Sequence, residues 1–163
     1  MASGSKIAAI PAATAMLESR LTTLGTRFSG FPEVVAVYLF GSAARGARRK
    51  RSDIDIAILT RKGGTSRSHG KGRSLVDYVQ TACDALGTDH VDVVLLDRSP
   101  VVLRHEVFRE GKLLLVRDPE ALSRFRQESS REYLDTIPLR RTFEEAYFRR
   151  IRRNGFARQV SHR

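Results

Sequence analysis

Asp53 and Asp55 are separated by one residue inside Asp53-Ile54-Asp55-Ile56-Ala57-Ile58-Leu59, a run in which polar and apolar positions alternate. Such alternation predicts a β-strand, with both aspartates on one face about 7 Å apart and three isoleucines on the other. Two bare carboxylates placed that way repel one another. A divalent cation removes the repulsion, and Mg²⁺ is usually held by one or two carboxylates together with substrate phosphates. Asp92 is the natural third member, because it lies in His90-Val91-Asp92-Val93-Val94-Leu95-Leu96, where an unpaired carboxylate would be costly to bury. Asp89 and Asp97 sit at the ends of that run, where an ordinary solvated carboxylate suffices.

Upstream, Gly41-Ser42 follows directly on the β-prone run Val34-Val35-Ala36-Val37-Tyr38-Leu39-Phe40. A turn of this kind can offer backbone N–H groups and a hydroxyl to phosphate oxygens, a use compatible with Ser42 acting as an N-cap. Between the turn and Asp53 lie Arg45, Arg48, Arg49, Lys50 and Arg51, and Arg45 or its neighbours could neutralise phosphate charge. In a chain with nine aspartates, Asp-x-Asp alone is a weak signal, and the turn and the third aspartate are what raise it. His69, His90 and His105 lack metal-ligand spacing and read as surface or strand-end residues. Cys83 reads as core, and Tyr133 and Tyr147 as packing residues.

These residues need a scaffold. Leu17, Leu21, Leu24 and Phe28 predict an amphipathic helix over residues 12–28, ended by Gly30 and Pro32. A second helix is predicted from Leu75 to Leu86, closed by Gly87. Ser99-Pro100 predicts a capped helix start, Gly111 its end, and Lys112-Leu113-Leu114-Leu115-Val116 a short fourth strand. Asp118-Pro119 repeats the cap signal and opens a long helical region expected to break near Pro138 and resume through Phe143, Tyr147 and Ile151. The glycine- and serine-rich segment 61–72 reads as a flexible loop. The expected organisation is a disordered N-terminus (1–11), an α/β domain (12–117), and a helical C-terminal arm (118–158) that binds a partner. Aromatic side chains interleaved with arginines along the arm motivate that last expectation.

The signature Gly41-Ser42-Ala43-Ala44-Arg45-Gly46 followed by Ser52-Asp53-Ile54-Asp55, with the later Val91-Asp92-Val93, resembles that of the polymerase-beta-type nucleotidyltransferases, most closely their minimal (MNT) branch. The resemblance implies a small mixed sheet with flanking helices. It also implies that Gly41 and Ser42 hold the triphosphate, that Asp53 and Asp55 bind two Mg²⁺ ions (or Mn²⁺), and that Asp92 completes the catalytic metal. Many members of that branch are antitoxins of HEPN ribonuclease toxins and transfer AMP from ATP to a toxin tyrosine, so the resemblance implies ATP as substrate and a cognate HEPN toxin in a hetero-oligomer. The stretch before Asp53, with Arg48-Arg49-Lys50-Arg51, is more basic than the family's usual pattern.

Composition sets the outer bounds. A chain of 163 residues is about one domain long, its net charge of +11 favours anionic partners, and its apolar runs are all shorter than a bilayer span of about 20 residues. A single cysteine rules out an intramolecular disulfide, and with no secretory signal before the first helix the cytoplasm is the expected compartment. Three function classes remain: a protein-modifying antitoxin, a transferase acting on RNA or a small molecule, and a non-catalytic antitoxin acting by contact. The basic charge disfavours a cationic small-molecule acceptor.

Overall fold

The computed structural model describes residues 12–46, 52–61 and 73–154. The expectations for the N-terminus, for the basic residues 48–51, for the loop 62–72 and for the end of the arm lie outside the described residues.

Among the described residues the elements follow in the order α1 (Ala12–Ser29), β1 (Val34–Phe40), α2 (Gly41–Ala44), β2 (Ile54–Thr60), α3 (Leu75–Leu86), β3 (Val91–Leu95), α4 (Val101–Glu110), β4 (Lys112–Val116) and α5 (Pro119–Asn154), with a 3₁₀ turn at Leu96–Arg98. The four strands form one mixed sheet in the order β3-β2-β1-β4. β1 runs antiparallel to both β2 and β4, whereas β2 and β3 are parallel. The parallel pair is joined through α3, the kind of crossover that parallel strands require.

Side-chain alternation divides the core between the two faces of the sheet. Val37, Leu39, Ile54, Ile56, Ile58, Val93 and Leu95 pack against Leu21, Leu24 and Phe28 of α1 and Tyr78, Ala82 and Leu86 of α3. On the opposite face Tyr38, Ala57 and Leu59 pack against Val107 of α4 and Leu122 of α5. Helices thus cover both faces, which explains why β1 is an almost unbroken apolar run with no polar-out alternation. The alternation in β2 has a different cause: its polar positions fall at the strand's start, where the covering helices leave the sheet open.

Local signals end the elements where chain chemistry demands. Asp77 Oδ2 accepts hydrogen bonds from the Ser74 backbone N–H (2.7 Å) and hydroxyl (3.0 Å) at the start of α3. Gly87 closes α3 at φ +62, its N–H donating to the Cys83 carbonyl at 2.7 Å. Asp118 Oδ1 accepts from the Ala121 N–H at 2.9 Å and so caps α5. Two expectations require correction. Pro100, not Ser99, occupies the N-cap of α4, because the Ser99 hydroxyl is drawn back to the Leu95 carbonyl at 2.7 Å. α5 does not break at Pro138 but runs as one helix of 36 residues. A proline there removes a single backbone donor, whose partner would be the carbonyl of Leu134, and Leu134 lies on the exposed side where water can replace it. Among the described residues, no helix is long and apolar enough to cross a membrane.

Candidate active site

The three aspartates meet at one end of the sheet. β1 arrives there at Phe40, whose extended backbone (φ −137, ψ −166) leads into Gly41 at φ +66 and the single turn of α2. Phe40 pairs with Asp55 across the antiparallel ladder, and Asp55 pairs with Asp92 across the parallel one. Register partners project on the same face, so Asp55 and Asp92 stand side by side on strands about 4.8 Å apart. Asp53, one alternation earlier, lies at the same edge of that face.

Gly41 is required on two counts. Its positive φ is a region that side-chain-bearing residues rarely adopt. A Cβ placed there would also lie 2.0 Å from Oδ2 and 2.8 Å from Cγ of Asp55. The turn therefore closes directly over the Asp55 carboxylate, which links the glycine and the second aspartate into one structural unit.

The electrostatics agree with that crowding. Burial pushes the Asp55 carboxyl above its ordinary range, the charges of Asp92 and Asp53 push it further, and Arg45 partly offsets them. Burial and neighbouring like charges act in the same direction here, each favouring the neutral carboxyl. Among the described residues no three Asp, Glu, His or Cys side chains form a ready-made metal group. The trio is spread, not gathered into a closed shell. Its donors are nonetheless all carboxylate oxygens, the set that a hard dication with several other oxygen ligands prefers, so Asp53, Asp55 and Asp92 are the residues that fit it.

Arg45 caps the end of α2 and reaches across to α4, where its Nη1 lies 3.0 Å from Glu110 Oε2 and 3.8 Å from Glu106 Oε1. Hydrogen bonds from Arg45 and Arg109 hold the Glu110 carboxyl below its ordinary range. Ser42 is half-buried at the start of the turn. His90, read from sequence as a strand-end residue, is brought beside the site: its Nδ1 lies 3.3 Å from Asp53 Oδ1, and its carbonyl accepts the Ile54 N–H at 2.9 Å. Sequence reasoning missed His90, Glu106 and Glu110 as neighbours of the site. Only the parallel pairing of β2 with β3 could have exposed the first, since that pairing sets residue 90 beside the start of β2.

Comparison with known proteins agrees with this geometry. Residues 23–120 match the family model described as polymerase beta, nucleotidyltransferase. The chain is 35% identical over 83 residues to protein adenylyltransferase MntA of Shewanella oneidensis, a match covering 51% of this chain and 55% of that protein. It thus spans about half the length of that curated relative. Its fold resembles a crystal structure of a toxin-antitoxin with AMP-PNP, at a TM-score of 0.64 and 25% identity over 78% of this chain and 98% of the other. It also resembles a chain from a tri-AMPylated Shewanella oneidensis HEPN toxin in complex with MNT antitoxin, at a TM-score of 0.57 and 24% identity over 83% and 98% of the two chains. With the glycine turn closed over paired aspartates and the family match spanning the whole sheet, the chain belongs to the polymerase beta nucleotidyltransferase family.

Proposed function

We propose that this protein is an antitoxin that transfers AMP from ATP to a tyrosine hydroxyl of a cognate HEPN ribonuclease, thereby silencing it. The observation that carries the reading is the closure of Gly41 over Asp55 beside Asp92, which joins a tight glycine turn at the end of β1 to a cluster of carboxylates. The adenylyl specificity is supported by the named activity of MntA, and ATP by the AMP-PNP complex of the fold relative.

In the proposed reaction the phenol oxygen attacks the α-phosphorus of ATP, a new P–O bond joins tyrosine to AMP, and the α–β phosphoanhydride bond breaks to release pyrophosphate. Gly41 and Ser42 bind the triphosphate through the turn, and Arg45 offsets charge on the leaving pyrophosphate. Asp92 is the proposed acceptor of the phenolic proton at its carboxylate. Mg²⁺ held by Asp53, Asp55 and Asp92 would supply charge neutralisation and a lowered pKa for the attacking hydroxyl. AMP adds negative charge beside a ribonuclease site and repels the phosphate backbone of RNA.

The test is incubation with the cognate HEPN ribonuclease, ATP and Mg²⁺, followed by intact-mass spectrometry. Mass increments of AMP on the toxin, lost when a toxin tyrosine is replaced by phenylalanine, are expected. A toxin inhibited at unchanged mass overturns the transfer reading in favour of neutralisation by contact, and label on RNA overturns it in favour of an RNA transferase.

A further inference from the structure

α5 divides into two physically different halves. In the first, Leu122 and Ser129 are buried, Ala121 and Phe125 pack on the second core cluster, and Phe125 meets Phe108 edge-on with ring centroids 6.0 Å apart. Tyr133 stacks on His105 at 3.7 Å and Glu132 pairs with Arg104 at 3.0 Å. Beyond Pro138 the helix leaves the body, and every residue from 141 to 150 is exposed. Large apolar side chains lie in the open: Leu139 at 60%, Phe143 at 64%, Tyr147 at 58% and Phe148 at 57% exposure. Leu139, Phe143, Tyr147 and Ile151 recur every fourth residue, so they line one stripe of the helix.

The direction of departure follows from the contacts. Phe125 meets Phe108, but eight residues later Tyr133 meets His105, one turn nearer the start of α4. The end of α4 is the part that reaches the catalytic face, through Glu106 and Glu110 on Arg45. α5 starts at the opposite end of the sheet, where Asp118 pairs with Arg61 and its N–H donates to the Val35 carbonyl, and from there it crosses α4 toward that helix's start. Its 21 residues after Tyr133 reach about 32 Å further at 1.5 Å per residue.

We infer that the distal half of α5 is a tether that lays its Leu139-Phe143-Tyr147-Ile151 stripe into an apolar groove rimmed by acidic residues on the toxin, remote from the site of transfer. This rests on the preceding reading of the partner as the substrate toxin. Charge selects the occupant: residues 139–152 carry five arginines against Glu144 and Glu145, so a second copy of this helix would bring like charge to like charge. A partner with acidic flanks is attracted by the same arginines, and an aromatic stripe among arginines has the composition of an interface centre. Because tether and chemistry lie at different ends, recognition and transfer are separable.

The experiment uses the full chain carrying Phe143→Glu/Tyr147→Glu, both positions being exposed, against the cognate HEPN ribonuclease. Calorimetry is expected to show toxin affinity weakened at least about tenfold, with ATP binding in Mg²⁺ unchanged and KM for the toxin raised while kcat holds. Unchanged toxin affinity overturns the tether. So does sedimentation of the wild-type protein alone as a dimer that the variant abolishes, which assigns the stripe to a second copy. Loss of RNA affinity with toxin affinity intact also overturns it, by assigning the stripe to RNA. Mass spectrometry of toxin treated with wild-type protein keeps the two readings apart: a toxin that binds through the stripe yet never gains AMP preserves the tether and sinks the transfer.

Discussion

Oδ2 of Asp55 occupies the space that a side chain on Gly41 would need, 2.0 Å from where its Cβ would stand. The glycine turn and the acidic strand are therefore in contact, and neither can change alone. Gly41→Ala is expected to displace Asp55 and to cost about 1–2 kcal/mol of stability from the positive φ. Denaturant unfolding measures the stability. Wild-type nucleotide affinity in a folded Gly41→Ala protein would show that the turn does not seat the triphosphate.

The carboxylates are expected to differ in role. Asp53→Asn/Asp55→Asn should abolish Mg²⁺-dependent ATP binding in calorimetry. Asp92→Asn should retain most of that binding while turnover falls by about 10²-fold or more. Equal losses of binding in both variants would remove the distinction.

Asp55 should be a destabilising residue in the absence of nucleotide and metal. Its carboxyl is raised by burial and by Asp92 and Asp53, so the folded chain holds the Asp55 proton more tightly than the unfolded chain. The contribution to stability is then complete below the ordinary aspartate value near 3.9 and is lost as pH rises through the raised value. Asp55→Asn is expected to raise the thermal midpoint of chelated protein at neutral pH, with the gain shrinking toward acid. A neutral-pH midpoint at or below wild type would contradict the clustering.

The two halves of α5 should respond differently to truncation of side chains. Leu122→Ala opens a cavity in the buried cluster and is expected to cost about 2–5 kcal/mol. Phe143→Ala, on the exposed stretch, should stay within about 0.5 kcal/mol. Urea titrations of the two variants read the contrast directly.

Local chemistry was sufficient for much of this molecule. Period-two alternation placed β2 and divided its isoleucines from its aspartates, helical spacing placed α1 and α3, and Asp118-Pro119 marked the start of α5, because each is decided by neighbours within one or two turns. The glycine-serine turn and the aspartate pattern pointed to the nucleotidyltransferase family for the same reason. The strand order, by contrast, depends on which strands share a boundary, and no local signal encodes it. Only the β2–β3 pairing sets Asp92 beside Asp55 and His90 beside Asp53. Proline's local preference likewise predicted a broken arm, whereas the one backbone donor that Pro138 removes faces the exposed side of α5, where water satisfies the Leu134 carbonyl and the helix continues. The reach of Arg45 to Glu110, 65 residues away in sequence, is of the same kind: a contact between side chains that only the folding of α4 onto the sheet brings together.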